Sequence, residues 1–228
     1  MIQFQVPVVA AGLAIIFDLD GVIVDSNPVH RQAWVRYNRR QGIETDEAML
    51  EFMYGKRNDE IVRHYFGDHL EEEEIARHGA AKEALYREMM AGEVEARLVP
   101  GVREFIQANA GRPIALASNA EPANVEFLLE ASGLRRYFRV VVDGHQVRNP
   151  KPHPEVFLRA ADRLGVLPAD TIVFEDSHSG VLAARAAGAR VVGLRTTHRD
   201  LAGTALNVED FRSLELAAWL RNQEPLKR

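Results

Sequence analysis

Ile15-Ile16-Phe17-Asp18-Leu19-Asp20-Gly21-Val22 is an apolar run that stops at two aspartates spaced i, i+2 and turns at once at a glycine. In a strand, residues i and i+2 face the same way, so both carboxylates would look into one space. Two anions held together repel, and such a pair persists where a metal ion, a shared proton or phosphate chemistry makes use of it. The same residues also read as a strand ending in an acidic turn, because Asp and Gly are common turn formers. On this stretch alone the two readings stand level.

The chain around it has 228 residues, enough for one large α/β domain or for a core carrying a smaller insert. Its 46% hydrophobic and 27% charged residues are ordinary for a soluble globular protein. A net charge of −5 without a basic block points away from nucleic acid and anionic membranes. The absence of cysteine excludes disulfides, thiolate metal sites and cysteine nucleophiles, and it fits a reducing cytosol. No segment approaches the roughly 18 apolar residues of a membrane span. The segment Met1 to Gly12 lacks the positive start of a signal peptide. The expectation is a cytoplasmic protein and, with no long heptad pattern, a monomer.

Between residues 26 and 97 the apolar residues fall at helical spacings, as in Ile61, Val62, Tyr65 and Phe66, and strand-like runs are missing. Glu71 to Glu74 reads as the acidic first turn of a helix, favoured by the helix dipole. From Leu98 onward short apolar runs (113–117, 139–142, 171–174 and 190–194) alternate with helical patterns (102–109, 123–131, 154–164 and 180–187). That rhythm means βαβ units and a parallel sheet buried on both faces. The expected fold is α/β: a Rossmann-like, doubly wound parallel-sheet core (1–24 and 98–228) with an inserted α-helical cap (25–97).

Ligands of open α/β sheets bind at the carboxyl ends of the strands. Here the first strand ends in Asp18 and Asp20, the second in Ser118-Asn119, and the fourth in Glu175-Asp176-Ser177, while Lys151 stands between two prolines after the third. Each has a plain alternative: a helix N-cap for Ser118 or Asn119, a solvated lysine, an acidic turn. Carboxylates, a hydroxyl–amide pair and a lysine at separate strand ends are together what phosphoryl transfer to an aspartate requires. Asp18 would attack phosphorus, and Asp20 would protonate the leaving oxygen and later deprotonate water. Mg²⁺ held by Asp18, Asp176 and a backbone carbonyl near Asp20 would offset the repulsion between carboxylate and phosphate. Ser118, Asn119 and Lys151 would hold the equatorial oxygens, and Glu175 would aim Lys151 or join the outer shell of the metal.

With these residues in view, the chain resembles the haloacid dehalogenase superfamily, in particular its phosphatase-type members with a helical cap after the first strand. Asp18-Leu19-Asp20-Gly21-Val22, Ser118, Lys151-Pro152 and Glu175-Asp176-Ser177 match its four motifs in order. The resemblance implies a mobile cap, Mg²⁺ and an aspartyl-phosphate intermediate on a small phosphate ester. Asp20 argues against haloalkanoate-cleaving relatives, which lack the second aspartate. The stretch Asp25 to Trp34 is similar to that of β-phosphoglucomutase and the sugar phosphatases, where a histidine at the position of His30 engages the acid/base aspartate. Lys82 matches a cap lysine of the mutase branch, with a solvated helical lysine as the alternative. Against a mutase, Glu121 stands where that branch has lysine, and in Gly55-Lys56-Arg57 the arginine falls one place early for a grip on a distal phosphate. A phosphatase acting on sugar phosphates is the expectation, a phosphosugar mutase the alternative. An idle binding protein on the same fold is disfavoured, because Asp18 and Asp20 are both retained.

Overall fold

The computed structural model describes residues 6–225, so the first five residues of the expected 1–24 segment and the last three of 98–228 lie outside the described residues. Six parallel strands form one sheet in the order β3-β2-β1-β4-β5-β6. They are β1 (Ala14–Phe17), β2 (Ile114–Ala117), β3 (Val140–Val142), β4 (Thr171–Glu175), β5 (Arg190–Leu194) and β6 (Leu206–Val208). β1 pairs with β2 on one side and β4 on the other, with Phe17 level with Leu116 and Phe174. The strand order reverses at β1, which opens a crevice at its carboxyl end.

Period-two alternation along β1 divides the core between the two faces of the sheet. Ile15 and Phe17 enter one cluster with Leu116, Phe174 and Val192, covered by Phe105, Leu128 and Leu216. These come from helices α5 (Val102–Ala108), α6 (Pro122–Ala131) and α9 (Leu214–Arg221). Within this cluster the Phe17 and Phe174 rings stack with centroids 5.3 Å apart. Ala14 and Ile16 enter the other cluster with Ala115, Val173 and Val191, beneath Phe157, Ala160 and Ala183. Those belong to α7 (Glu155–Leu164) and α8 (His178–Ala186). A strand buried on both faces reads as continuous apolar sequence, and this is why 15–17 and 172–174 stand out.

Between β1 and core helix α5 the chain forms four helices: α1 (Asn27–Arg40), α2 (Glu47–Phe52), α3 (Asn58–Phe66) and α4 (Glu72–Met90). They enclose a cluster of their own built on Trp34, Leu50, Val62, Tyr65 and Leu85. Glu71 is the N-cap of α4 and Glu72 to Glu74 fill its first turn, as expected from the dipole. Among the described strands and α-helices, two escaped the sequence reading, β6 and α9. Leu206-Asn207-Val208 is too short and too polar to register as a strand, and only pairing with β5 defines it. Among the described residues no helix is long and apolar enough to cross a membrane.

Candidate active site

The crevice at the end of β1 opens into a cavity of about 510 Å³ lined by both the sheet and the helical insert. Asp18, Asp20, Ser118, Asn119, Lys151 and Asp176 come from the strand ends, and His30, Gly55, Lys56, Arg57, Lys82 and Glu83 from the insert. The sequence-derived residues thus meet in one place, with Glu175 directly beneath.

Asp18 is buried, and Lys151 Nζ stands 2.7 Å from its Oδ1. The contact is an ion pair, and Oδ1 has no further hydrogen-bond partner among the described residues. Lys151 Nζ also donates to Glu175 Oε1 at 2.6 Å. Glu175 Oε2 accepts from the backbone N–H groups of Asp176 and Ser177 and from the Ser177 hydroxyl. Glu175 therefore aims the lysine and fixes the turn from β4 into α8. Burial pushes the Asp18 carboxyl up to about 7, Lys151 opposes the rise, and Glu175 and Asp20 add to it. Asp176 is raised further by burial and by Glu175 and Asp18.

A carboxylate oxygen from each of Asp18, Glu175 and Asp176 lies within 4.8 Å of the others, and all three residues are buried. One lysine faces this cluster of acids, and a buried oxygen of Asp18 lacks a further hydrogen-bond partner. Glu175 is committed to Lys151 and to the β4–α8 turn, so the oxygens of Asp18 and Asp176 are the ones that fit a hard divalent cation such as Mg²⁺. Gly21 lets the backbone close over the site: its φ is +74°, and a Cβ there would lie 1.8 Å from Asp176 Oδ2. Asp176 is further held by Asn27 Nδ2 at 3.2 Å and by the hydroxyl of Thr197.

The Asp20 carboxylate does not join this group. It turns toward the insert, where Ser26 Oγ donates to Oδ1 at 2.5 Å and His30 Nε2 lies 3.5 Å away. Any metal contact from residue 20 must therefore use its backbone. Burial would raise the Asp20 carboxyl, but His30 and Ser26 outweigh it and hold the group below its usual range.

His30 stacks on Tyr86 with centroids 3.7 Å apart, and Lys82 Nζ lies 2.7 Å from its Nδ1. Lys82 is 2% exposed, so the solvated alternative for this lysine is excluded. Ser118 and Asn119 are not the N-cap of α6; that position is Glu121. Ser118 Oγ instead accepts from Ala120 N–H at 3.1 Å. The Asn119 side chain ties Gly55 O of the insert (2.8 Å) to the Lys151 N–H (3.2 Å). Lys56 and Arg57 reach the cavity but are paired to Glu60 and Asp59. Asn27, Glu83, Asn124 and Thr197 also line it and were not singled out as site residues from sequence, where each is an ordinary polar residue of a helix or loop.

Residues 13–188 match the family model of haloacid dehalogenase-like hydrolases. The chain is 36% identical over 187 residues to the fructose-1-phosphate phosphatase YqaB of Escherichia coli, spanning 81% of this chain and 96% of that one. To a β-phosphoglucomutase of Mycobacterium tuberculosis it is 31% identical over 216 residues, 82% of each chain. Among solved structures, β-phosphoglucomutase from Clostridium difficile aligns with a TM-score of 0.82 at 28% identity, covering 92% of this chain and 96% of that one. The chain belongs to the haloacid dehalogenase-like hydrolase family. Within it, the chain falls in the branch of sugar phosphatases and β-phosphoglucomutases, as an enzyme of phosphatase type.

The buried cluster of acids, as a candidate metal site, has an expected pH dependence. Asp18 titrates at about 7 without metal, against an ordinary value of 3.8. Between those values the folded protein holds a proton that the unfolded chain releases, so metal-free stability falls as pH rises through this window. Metal binding must displace that proton and relieves the repulsion once it has gone. Saturating Mg²⁺ should therefore raise the melting temperature more at about pH 8 than at about pH 5.5. Equal shifts at both values would remove Asp18 from the metal site.

Proposed function

We propose that this protein is a Mg²⁺-dependent phosphatase of small sugar phosphates that works through an aspartyl-phosphate on Asp18. The observation that carries the reading is the buried Asp18 carboxylate, aimed by Lys151 into a cavity that also holds Asp20 on a separate, ionised hydrogen-bond system. An oxygen of Asp18 attacks phosphorus, the phosphorus–oxygen bond to the sugar breaks, and Asp20 gives its proton to the departing oxygen. Water then attacks the phosphorus, Asp20 takes its proton, the bond from phosphorus to the Asp18 oxygen breaks, and inorganic phosphate leaves with the Asp18 carboxylate restored. In the ligand-free molecule Asp20 is ionised, the form the second step needs; a phosphate dianion beside it favours the protonated form that the first step needs. Asp18 and Asp176 would hold Mg²⁺, which would supply charge neutralisation at the transferring phosphoryl group. Lys151, the Ser118 hydroxyl and the Asn119 backbone amide hold its equatorial oxygens.

Helices α1–α4 act as a cap that closes over the sugar, and the small-molecule ester is the partner; the protein works as a cytoplasmic monomer. The phosphatase reading is preferred to a mutase because Glu121, bonded by Asn58 Nδ2 at 3.0 Å, places a carboxylate on the cavity wall, and Lys56 and Arg57 are already paired. A second phosphate would meet repulsion there rather than a site. With Mg²⁺, fructose 1-phosphate should yield free phosphate. β-Glucose 1-phosphate should give no glucose 6-phosphate, with or without glucose 1,6-bisphosphate. Glucose 6-phosphate formed faster with the bisphosphate would replace this reading with the mutase.

A further inference from the structure

We propose that Glu83 is a positioning residue for the acid/base aspartate, anchored on the core by Asn124. Glu83 lies on α4 of the insert, 4% exposed, and its two oxygens divide between two partners. Oε1 accepts from Lys82 Nζ at 2.8 Å, and Oε2 accepts from Asn124 Nδ2 at 2.6 Å. Asn124 belongs to α6 of the core, where its Oδ1 accepts from Arg87 Nη1 at 2.7 Å. Two α4 residues one turn apart therefore clasp a single amide of the core, and its donor and acceptor ends are both used.

From Glu83 the chain of contacts runs to the catalytic centre. Lys82 Nζ, besides its bond to Glu83, meets His30 Nδ1 at 2.7 Å. An ammonium has only hydrogens to give, so Nδ1 accepts and the ring hydrogen sits on Nε2, the atom 3.5 Å from Asp20 Oδ1. Lys82 lies against the rings of Trp34 and Tyr86, and Glu83 is the anion it contacts. Burial by itself would raise the Glu83 carboxyl, but the Lys82 ammonium and the bond from Asn124 hold it down at about 2. A buried ammonium without that counter-charge would not stay fixed beside His30.

Core α6, Glu83, Lys82, His30 and Asp20 thus form one polar chain that is complete only when the insert is seated on α6. Seating the insert and aligning the acid/base group become a single event. The inference rests on the proposed role of Asp20, and the test separates the two. Fructose 1-phosphate has an alkoxide leaving group that needs a proton, whereas p-nitrophenyl phosphate loses a stable phenolate and does not. Asp20→Asn should lower kcat/KM on the first ester far more than on the second.

Glu83→Gln keeps the size and an acceptor for Asn124 but removes the anion from Lys82. Its kcat/KM should fall about 10- to 100-fold on fructose 1-phosphate and within about threefold on p-nitrophenyl phosphate. Equal losses on both esters, or none on the sugar ester, would overturn the positioning role. No split in Asp20→Asn would instead overturn the acid/base reading beneath it. Should Glu83→Gln fail to fold, Asn124→Ala breaks the same chain from the core side and must show the same split.

Discussion

Asp18→Asn should abolish turnover, with kcat reduced about 10⁴-fold or more, while the protein stays folded. The amide keeps the shape of the carboxylate but cannot attack phosphorus, and no neighbouring group replaces it. Asp20 is bound to Ser26 and faces His30, and Glu175 is saturated by Lys151 and the β4–α8 turn. Folding should survive because the substitution removes a buried charge whose carboxyl is already pushed up to about 7. Lys151 retains Glu175 as its partner. Steady-state assays with thermal melts check both halves. Activity within about tenfold of the parent would remove Asp18 as the nucleophile.

Lys151→Met should damage both activity and stability. Lys151 is 2% exposed and touches Asp18 and Glu175 at 2.7 and 2.6 Å. Methionine keeps an unbranched apolar side chain but loses the ammonium, which also lies 5.0 Å from the centroid of the Phe157 ring. The charge, however, is the one cation that ion-pairs with the acidic cluster among the described residues. Removing one partner of a buried ion pair costs about 3–5 kcal/mol, because the remaining charge is left uncompensated. The melting temperature should drop steeply without metal and recover in part with Mg²⁺, whereas kcat should not recover, since the phosphoryl oxygens lose their donor. A variant that melts like the parent in chelator would show that the lysine does not balance the cluster.

How much of this was legible in the sequence follows from distance along the chain. Asp18, Asp20, Ser118 and Asp176 could be found because each interrupts or ends a run of buried strand residues, a local signal. The strand positions followed for the same reason, and the parallel order followed from the alternating helices. α9 carried local signals too, with Ser213 accepting from Leu216 N–H at 3.2 Å, but it lies beyond the last apolar strand that was read. The contacts between insert and core had no local signal. Glu83 and Asn124 are 41 residues apart, and the burial of Lys82 depends on how α4 seats against α1 and α6. Thr197 and Asn27 reach Asp176 from segments 21 and 149 residues away, and nothing in either segment announces it. Spacing finds groups that one element brings together. Packing alone finds groups that two elements share.

The most direct measurement of the covalent mechanism is a rapid-mixing experiment with Asp20→Asn and p-nitrophenyl phosphate in Mg²⁺. The first step needs no proton from residue 20 with this ester, and the second step lacks its base. The expected result is a burst of p-nitrophenol stoichiometric with enzyme and, after quenching, a phosphoryl group on the peptide that contains Asp18. Linear release with no phosphorylated peptide, or a phosphoryl group on any other residue, would contradict it.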